Sequence, residues 1–267
     1  MDSKEEYKGK VVLVTGGGRG VGRGITEAYL AVGATVIVCG RTTPAELPEI
    51  GGRRAIFHSC DVCDHDATAA LVQRIASEHG RLNVLVNNAG GSPFALAAKA
   101  SPRFHQAILR LNLIAPYILA IQVNELMQQQ PEGGVIEFIG SISASRPQPG
   151  TATYGAAKAG ILSLTTSLAI EWAPKVRVVA ISPGLVRTDQ SASHYGDAAS
   201  LAAVERVIPL QRMALPREIG DICVFLASAR ASYITGSELL VHGGGERPRY
   251  MDVASVNKPT AGGSPGA

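Results

Sequence analysis

Lys10-Val11-Val12-Leu13-Val14-Thr15-Gly16-Gly17-Gly18-Arg19-Gly20-Val21-Gly22 is the stretch that decides the fold. Its aliphatic, β-branched first half reads as a buried strand. The chain then breaks into a glycine-rich turn and continues as a helix from Val21 to Val32. A strand, a glycine turn and a helix in that order suit phosphate. Glycines let the backbone approach an anion closely, and the helix start offers free N–H groups and a positive dipole end. A glycine loop alone is also an ordinary tight turn, so its weight depends on the rest of the chain.

Outward from this unit, apolar strands and helices alternate. Strands are read at Thr35–Cys39, Ala55–His58, Leu82–Val86, Gly134–Ile139, Val176–Ile181 and Glu238–Val241, and helices at Asp66–His79, Pro102–Gln129, Tyr154–Trp172 and Pro216–Ala229. This predicts an α/β fold: one Rossmann-type domain over 1–245, a doubly wound parallel sheet of about seven strands with helices on both faces. The segment 185–215 is too long for a simple connection and is expected to be an active-site lid. Residues 246–267 have linker composition and are expected to form a flexible tail.

Composition agrees. Of 267 residues, 46% are apolar and the net charge is +3, which excludes a disordered chain and leaves no basic stripe for nucleic acid. Of the four cysteines, Cys60 and Cys63 have C-x-x-C spacing, but no second ligand pair follows, so no metal is expected. The first six residues lack the apolar segment of a signal peptide, and no apolar run of ~18 residues is read. A soluble, cytoplasmic protein with no membrane partner is therefore expected.

The loop spacing Gly16, Gly20, Gly22 is followed by Asn87-Asn88-Ala89-Gly90 after the fourth strand, Asn112 in the long helix, Ser141 after the fifth strand, and Tyr154-Gly155-Ala156-Ala157-Lys158 thirteen residues beyond that serine. Pro183-Gly184 and Thr188 follow the sixth strand. Together and in order, these motifs resemble the short-chain dehydrogenase/reductase family, including its 3-oxoacyl thioester reductases, over about residues 8–245. The resemblance implies that Asn112, Ser141, Tyr154 and Lys158 are catalytic. It also implies that Gly16, Gly20, Val21, Asp61, Val62, Asn87, Pro183, Gly184 and Thr188 contact a dinucleotide, with Asp61 at the adenine and Asn87 lining the cleft. Lys158 would reach the nicotinamide ribose, and Asn112 would hold a water.

The chemistry is consistent with those residue types. Tyr154 and Lys158, four apart, share one helix face. A free tyrosine titrates near ~10, and an adjacent cation is expected to lower that value. Tyr154 would donate a proton to a carbonyl oxygen, or remove it in reverse, while Ser141 holds the same oxygen. For the cofactor, the acidic residue that bonds the ribose 2′-OH in NAD enzymes falls at Gly40, followed by Arg41, with Arg19 in the glycine loop. Two guanidinium groups suit a 2′-phosphate, so NADP(H) is expected over NAD, with Arg19 and Arg41 among its contacts.

The helix from Tyr154 to Ile170 is apolar or small nearly all round, which predicts a second buried face and, with the resemblance, a homotetramer. Val179 stands where the family pattern has Asn, and His242 where it has Asp. The substrate pocket should draw on Gly91–Phe94, Ser143–Gln148 and Ser191–Tyr195; Arg146 there either meets an acidic substrate group or is solvated. The expected activity is a ketone reductase or secondary-alcohol dehydrogenase, including a 3-oxoacyl thioester reductase. Rivals are a steroid, terpenoid or polyol dehydrogenase and, from another class, a non-catalytic dinucleotide sensor.

Overall fold

The structure, a computed structural model, describes residues 6–246 and 250–253. Most of the tail expected at 246–267 therefore lies outside the described residues. The chain order is β1 (Val11–Thr15), α1 (Gly20–Ala31), β2 (Thr35–Gly40), β3 (Glu49–Ile50), β4 (Arg53–Arg54), β5 (Ile56–Ser59), α2 (His65–His79), β6 (Val84–Asn87), α3 (Pro102–Leu109), a π-helical turn (Arg110–Ile114), α4 (Ala115–Gln129), β7 (Gly134–Ile139), α5 (Ala152–Trp172), β8 (Val176–Pro183), α6 (Ser191–Tyr195), α7 (Ala198–Arg206), α8 (Pro216–Ala227), β9 (Ser237–Val241) and α9 (Tyr250–Val253).

Seven strands form one parallel sheet in the order β5-β2-β1-β6-β7-β8-β9. Leu13 pairs with Ile37 on one side and Leu85 on the other. Alternation along β1 serves two cores. Val12 and Val14 join Ile25, Tyr29, Ile219 and Val224 beneath α1 and α8. Val11 and Leu13 join Leu119, Val123, Ile136, Ile161 and Leu168 beneath α4 and α5. Strands covered on both faces must be apolar on both. The chain reverses its winding between β1 and β6, which opens a crevice at their carboxyl ends.

Helices α1 and α8 meet backbone to backbone. A Cβ built on Gly24 would lie 2.3 Å from the Pro216 carbonyl carbon, and one on Gly220 would lie 2.5 Å from the Gly24 oxygen. Neither position has room for a side chain.

Four features differ from the sequence reading. The β3–β4 hairpin was not read, because two-residue strands carry no usable periodicity. The segment 185–215, expected from the sequence to be a lid, holds two short helices, α6 and α7. The helix over Pro102–Gln129 is interrupted by the π-helical turn; it is also long and apolar enough to cross a membrane, although no such run was read from the sequence. Its apolar residues Leu119, Ala120, Val123 and Met127 are buried in the core beneath the sheet. Finally, β7 carries Glu137 fully buried in the α1–α8 core. Tyr29 donates to its Oε2 at 3.0 Å and the Cys223 thiol also bonds the carboxyl, while Oε1 has no hydrogen-bond partner among the described residues. Burial raises the carboxyl to about 8. Glu137 pairs across the sheet with Val179, so the polar residue of this layer stands on β7 rather than at the family's β8 position.

Candidate active site

The glycine loop is shaped by backbone contacts that exclude side chains. Gly16 and Gly20 have positive φ, 65° and 52°. A Cβ on Gly22 would lie 2.2 Å from the Gly16 oxygen, and one on Gly17 would lie 2.5 Å from Val38. Arg19 precedes α1 without a side-chain cap, so the amides of its first turn are left to bind an anion. Among the described residues, only the Thr188 methyl lies near the open side of Gly20, at 3.8 Å from a built Cβ. This cradle fits a dinucleotide pyrophosphate under Thr188.

Asn88 braces the loop: its Nδ2 donates to Thr15 O at 2.8 Å, and its backbone N–H donates to Thr15 Oγ1 at 2.9 Å. Asn87, expected to line the cleft, is buried, with Nδ2 donating to Pro116 O at 3.2 Å. The bracing role of Asn88 was missed in the sequence, although it is the second residue of the same Asn-Asn turn. Asp61, expected at the adenine, is exposed and its Oδ1 accepts from Cys63 N at 2.9 Å, with Val62 beside it and half-buried. Arg19 and Arg41 are exposed. Their loops touch, because Pro44 packs against Gly18, 2.4 Å from a Cβ built there. Beyond β8, Gly184 N donates to Val241 O at 2.9 Å, and a Cβ on Gly184 would overlap His242. His242 thus packs against the Pro183-Gly184 segment.

The four expected catalytic residues meet at the carboxyl end of β7. Ser141 follows that strand, and its hydroxyl bonds Tyr154 in the first turn of α5. Lys158, one turn on, is buried; its Nζ donates to Ile139 O at 2.7 Å and lies 5.6 Å from the Tyr154 ring centroid. Asn112 is fully buried in the π-helical turn. Its Oδ1 accepts from Gly91 N at 2.8 Å, and its Nδ2 donates to Gly91 O at 3.0 Å. Its side chain therefore pins the Gly90–Gly91 turn. The implied water would have to use its backbone carbonyl, which lacks an i+4 donor because residue 116 is proline.

The titration of Tyr154 differs from the expectation. Burial raises it above the usual phenol value, and the Ser141 hydrogen bond only partly opposes this. Lys158 does not lower it, because its ammonium is bonded to a carbonyl and is itself brought down to about 8 by burial. Tyr154 is thus a neutral phenol at neutral pH, the form that donates a proton.

The profile of a family described as Enoyl-(Acyl carrier protein) reductase matches residues 16–246. An uncharacterized short-chain type dehydrogenase/reductase of Sinorhizobium fredii is 36% identical over 97% of this chain, which spans 46% of that protein. The 3-oxoacyl-(acyl-carrier-protein) reductase FabG of Chlamydia trachomatis is 35% identical, covering 88% of this chain and 96% of its own. The chain belongs to the short-chain dehydrogenase/reductase family. The ligand-free aldohexose dehydrogenase of Thermoplasma acidophilum superposes with a TM-score of 0.83 at 30% identity, covering 90% of this chain and 95% of its own.

A short-chain dehydrogenase/reductase is an oxidoreductase acting on CH–OH and carbonyl groups of small molecules with a nicotinamide dinucleotide. When bound, the nicotinamide supplies or accepts the hydride. The residues of this chain placed to handle the proton are Ser141 and Tyr154, whose side chains are hydrogen-bonded, with the buried Lys158 beside the Tyr154 ring.

Proposed function

We propose that this protein is an NADP(H)-dependent ketone reductase and secondary-alcohol dehydrogenase. The observation that carries the cofactor choice is the end of β2. Gly40 offers no carboxylate to bond a ribose 2′-OH or to repel a phosphate, and the Arg41 loop leans on the Arg19 loop through Pro44 and Gly18. A guanidinium matches a phosphate in geometry and charge. The test is kcat/KM with NADPH and NADH on a panel of ketones. A preference for NADPH supports the reading, and equal or better efficiency with NADH refutes the cofactor choice. Absence of turnover with either nucleotide favours a dinucleotide sensor instead.

A 3-oxoacyl thioester is one candidate substrate, supported by the FabG relative. A sugar or polyol is the second, favoured by the polar wall in which Ser143 Oγ and Arg146 Nη2 both donate to Gln148 Oε1. The assembly we propose is a cytoplasmic homotetramer. Helix α5 supports it by turning Ala152, Ala156, Ala159, Ser163, Thr166 and Ile170 outward, a flat face suited to a second copy.

A further inference from the structure

The segment from Ser141 to Tyr154 forms one side of the substrate opening, because both of its ends are reacting groups. Ser143 N donates to Ser141 Oγ at 3.1 Å, and a Cβ on Gly155 would lie 2.8 Å from Ser143 O. The segment is therefore locked onto the first turn of α5, beside Tyr154. Its side chains build a donor-rich wall. The Gln148 carbonyl accepts from the Ser143 hydroxyl and from Arg146 Nη2, at 3.2 Å for the latter, which leaves the Gln148 amide NH2 to donate elsewhere. Arg146 Nη1 donates to Glu246 Oε1, a carboxylate from the far end of the described fold. Tyr195, in α6, lies within the field of the same guanidinium.

Two segments remote in sequence thus meet at Arg146, the loop after Ser141 and the segment after β9. Its carboxylate partner, Glu246, lies 100 residues away along the chain. A guanidinium held by one amide oxygen and one carboxylate at the edge of a reaction site has the geometry of an anion subsite with its counter-ion supplied by the protein. Glu246 is part-exposed and close to the end of the fold, so it can be exchanged for a ligand carboxylate without unpacking any core.

We propose that Arg146 is the specificity residue of the substrate site and that the preferred substrate is a ketone, or the corresponding alcohol, bearing an anionic group that displaces Glu246 from Arg146. This rests on the reading of the site as a carbonyl–alcohol oxidoreductase and narrows it. The ligand chemistry is a carboxylate or a phosphate; the wall donates to either.

The test compares pairs of ketones that differ only in charge: oxo-carboxylic acids of increasing chain length against their methyl esters, and oxo-alkyl phosphates against the free alcohols. For the best pair, wild-type kcat/KM favours the anion by about ten- to a hundredfold, the worth of hydrogen bonds to a charged group. Arg146→Gln lowers that ratio at least tenfold through KM for the anion, and Arg146→Lys retains part of it. Glu246→Gln lowers KM for the anion, because the internal competitor is gone. The carboxylate and phosphate arms identify the group. Equal use of anion and neutral mate by the wild type overturns the proposal, as does an Arg146→Gln ratio equal to wild type. A protein that reduces neutral ketones but shows no charge preference leaves the Proposed function standing and removes this one. A protein that reduces nothing removes both.

Discussion

Replacing Glu137 with glutamine removes a titration while keeping the shape and the acceptor oxygen that Tyr29 needs. In the fold the carboxyl titrates at about 8, against 4.5 for the free group, because burial favours its neutral form. Its surroundings supply one hydroxyl, one thiol and a more distant Arg177 guanidinium that is bonded to Ile234 O and Ser228 O. With the folded value raised, the unfolded chain releases this proton first as pH rises. The stabilisation is complete below about 4.5 and is lost by about 8. At ~1.4 kcal/mol per pH unit, the change reaches at most ~5 kcal/mol across that window.

Two other buried groups run the opposite way. The penalty for a charged Lys158 is relieved only above about 8, and His58, lowered by burial, adds stability as pH rises toward 6.5. Both are common to wild type and the Glu137→Gln variant, so they cancel in the difference. Thermal or urea unfolding followed by Trp172 fluorescence from pH 5 to 8.5 reads it. The Tm gap between variant and wild type should move in favour of the variant by at least ~5 °C, given ~2–4 °C per kcal/mol for a chain of this size. Parallel curves across that range would refute the argument and mean that Glu137 is ionised and matched in the fold.

Three further outcomes are expected. Tyr154→Phe keeps the ring packing and removes the proton donor, so kcat should fall ~10²–10⁴-fold with an unchanged circular dichroism spectrum; near wild-type turnover would undo the assignment. Arg41→Ala combined with Arg19→Ala should raise KM for NADPH and leave KM for NADH nearly unchanged, as steady-state kinetics with both nucleotides will show. Light scattering at micromolar concentration should give a multiple of the 27.8 kDa chain mass, and Ile170→Glu, at a side chain that is 83% exposed in the single chain, should reduce it.

Elements with a strong local signal were legible in the sequence. Strands such as Val11–Thr15 and Gly134–Ile139 are runs buried on both faces, and the glycine loop and the Tyr154–Lys158 spacing belong to single elements. What escaped depends on tertiary context. The π-helical turn inserts one residue's worth of rotation between α3 and α4, and apolar spacing does not reveal it. The electrostatics of Tyr154 follow from how deeply it is buried and from where the Lys158 ammonium points, toward Ile139 O rather than the phenol. Glu137 sits in an ordinary strand pattern, and only the sheet shows that Tyr29 and Cys223 surround it.

The contact between Gly24 and Gly220 has a consequence for how this enzyme can vary. Because the two helices touch through main chain, the distance between them cannot be tuned by exchanging side chains, as it can at an ordinary helix interface. Even alanine at either position needs a backbone shift, and that shift would carry the start of α1, and with it the phosphate cradle, away from β1. A saturation scan of the two helices should therefore show two intolerant positions facing each other among permissive neighbours. Directed evolution of cofactor preference would have to work through the Arg19 and Arg41 loops, because the angle at which the cradle meets its ligand is fixed by a joint with no adjustable part.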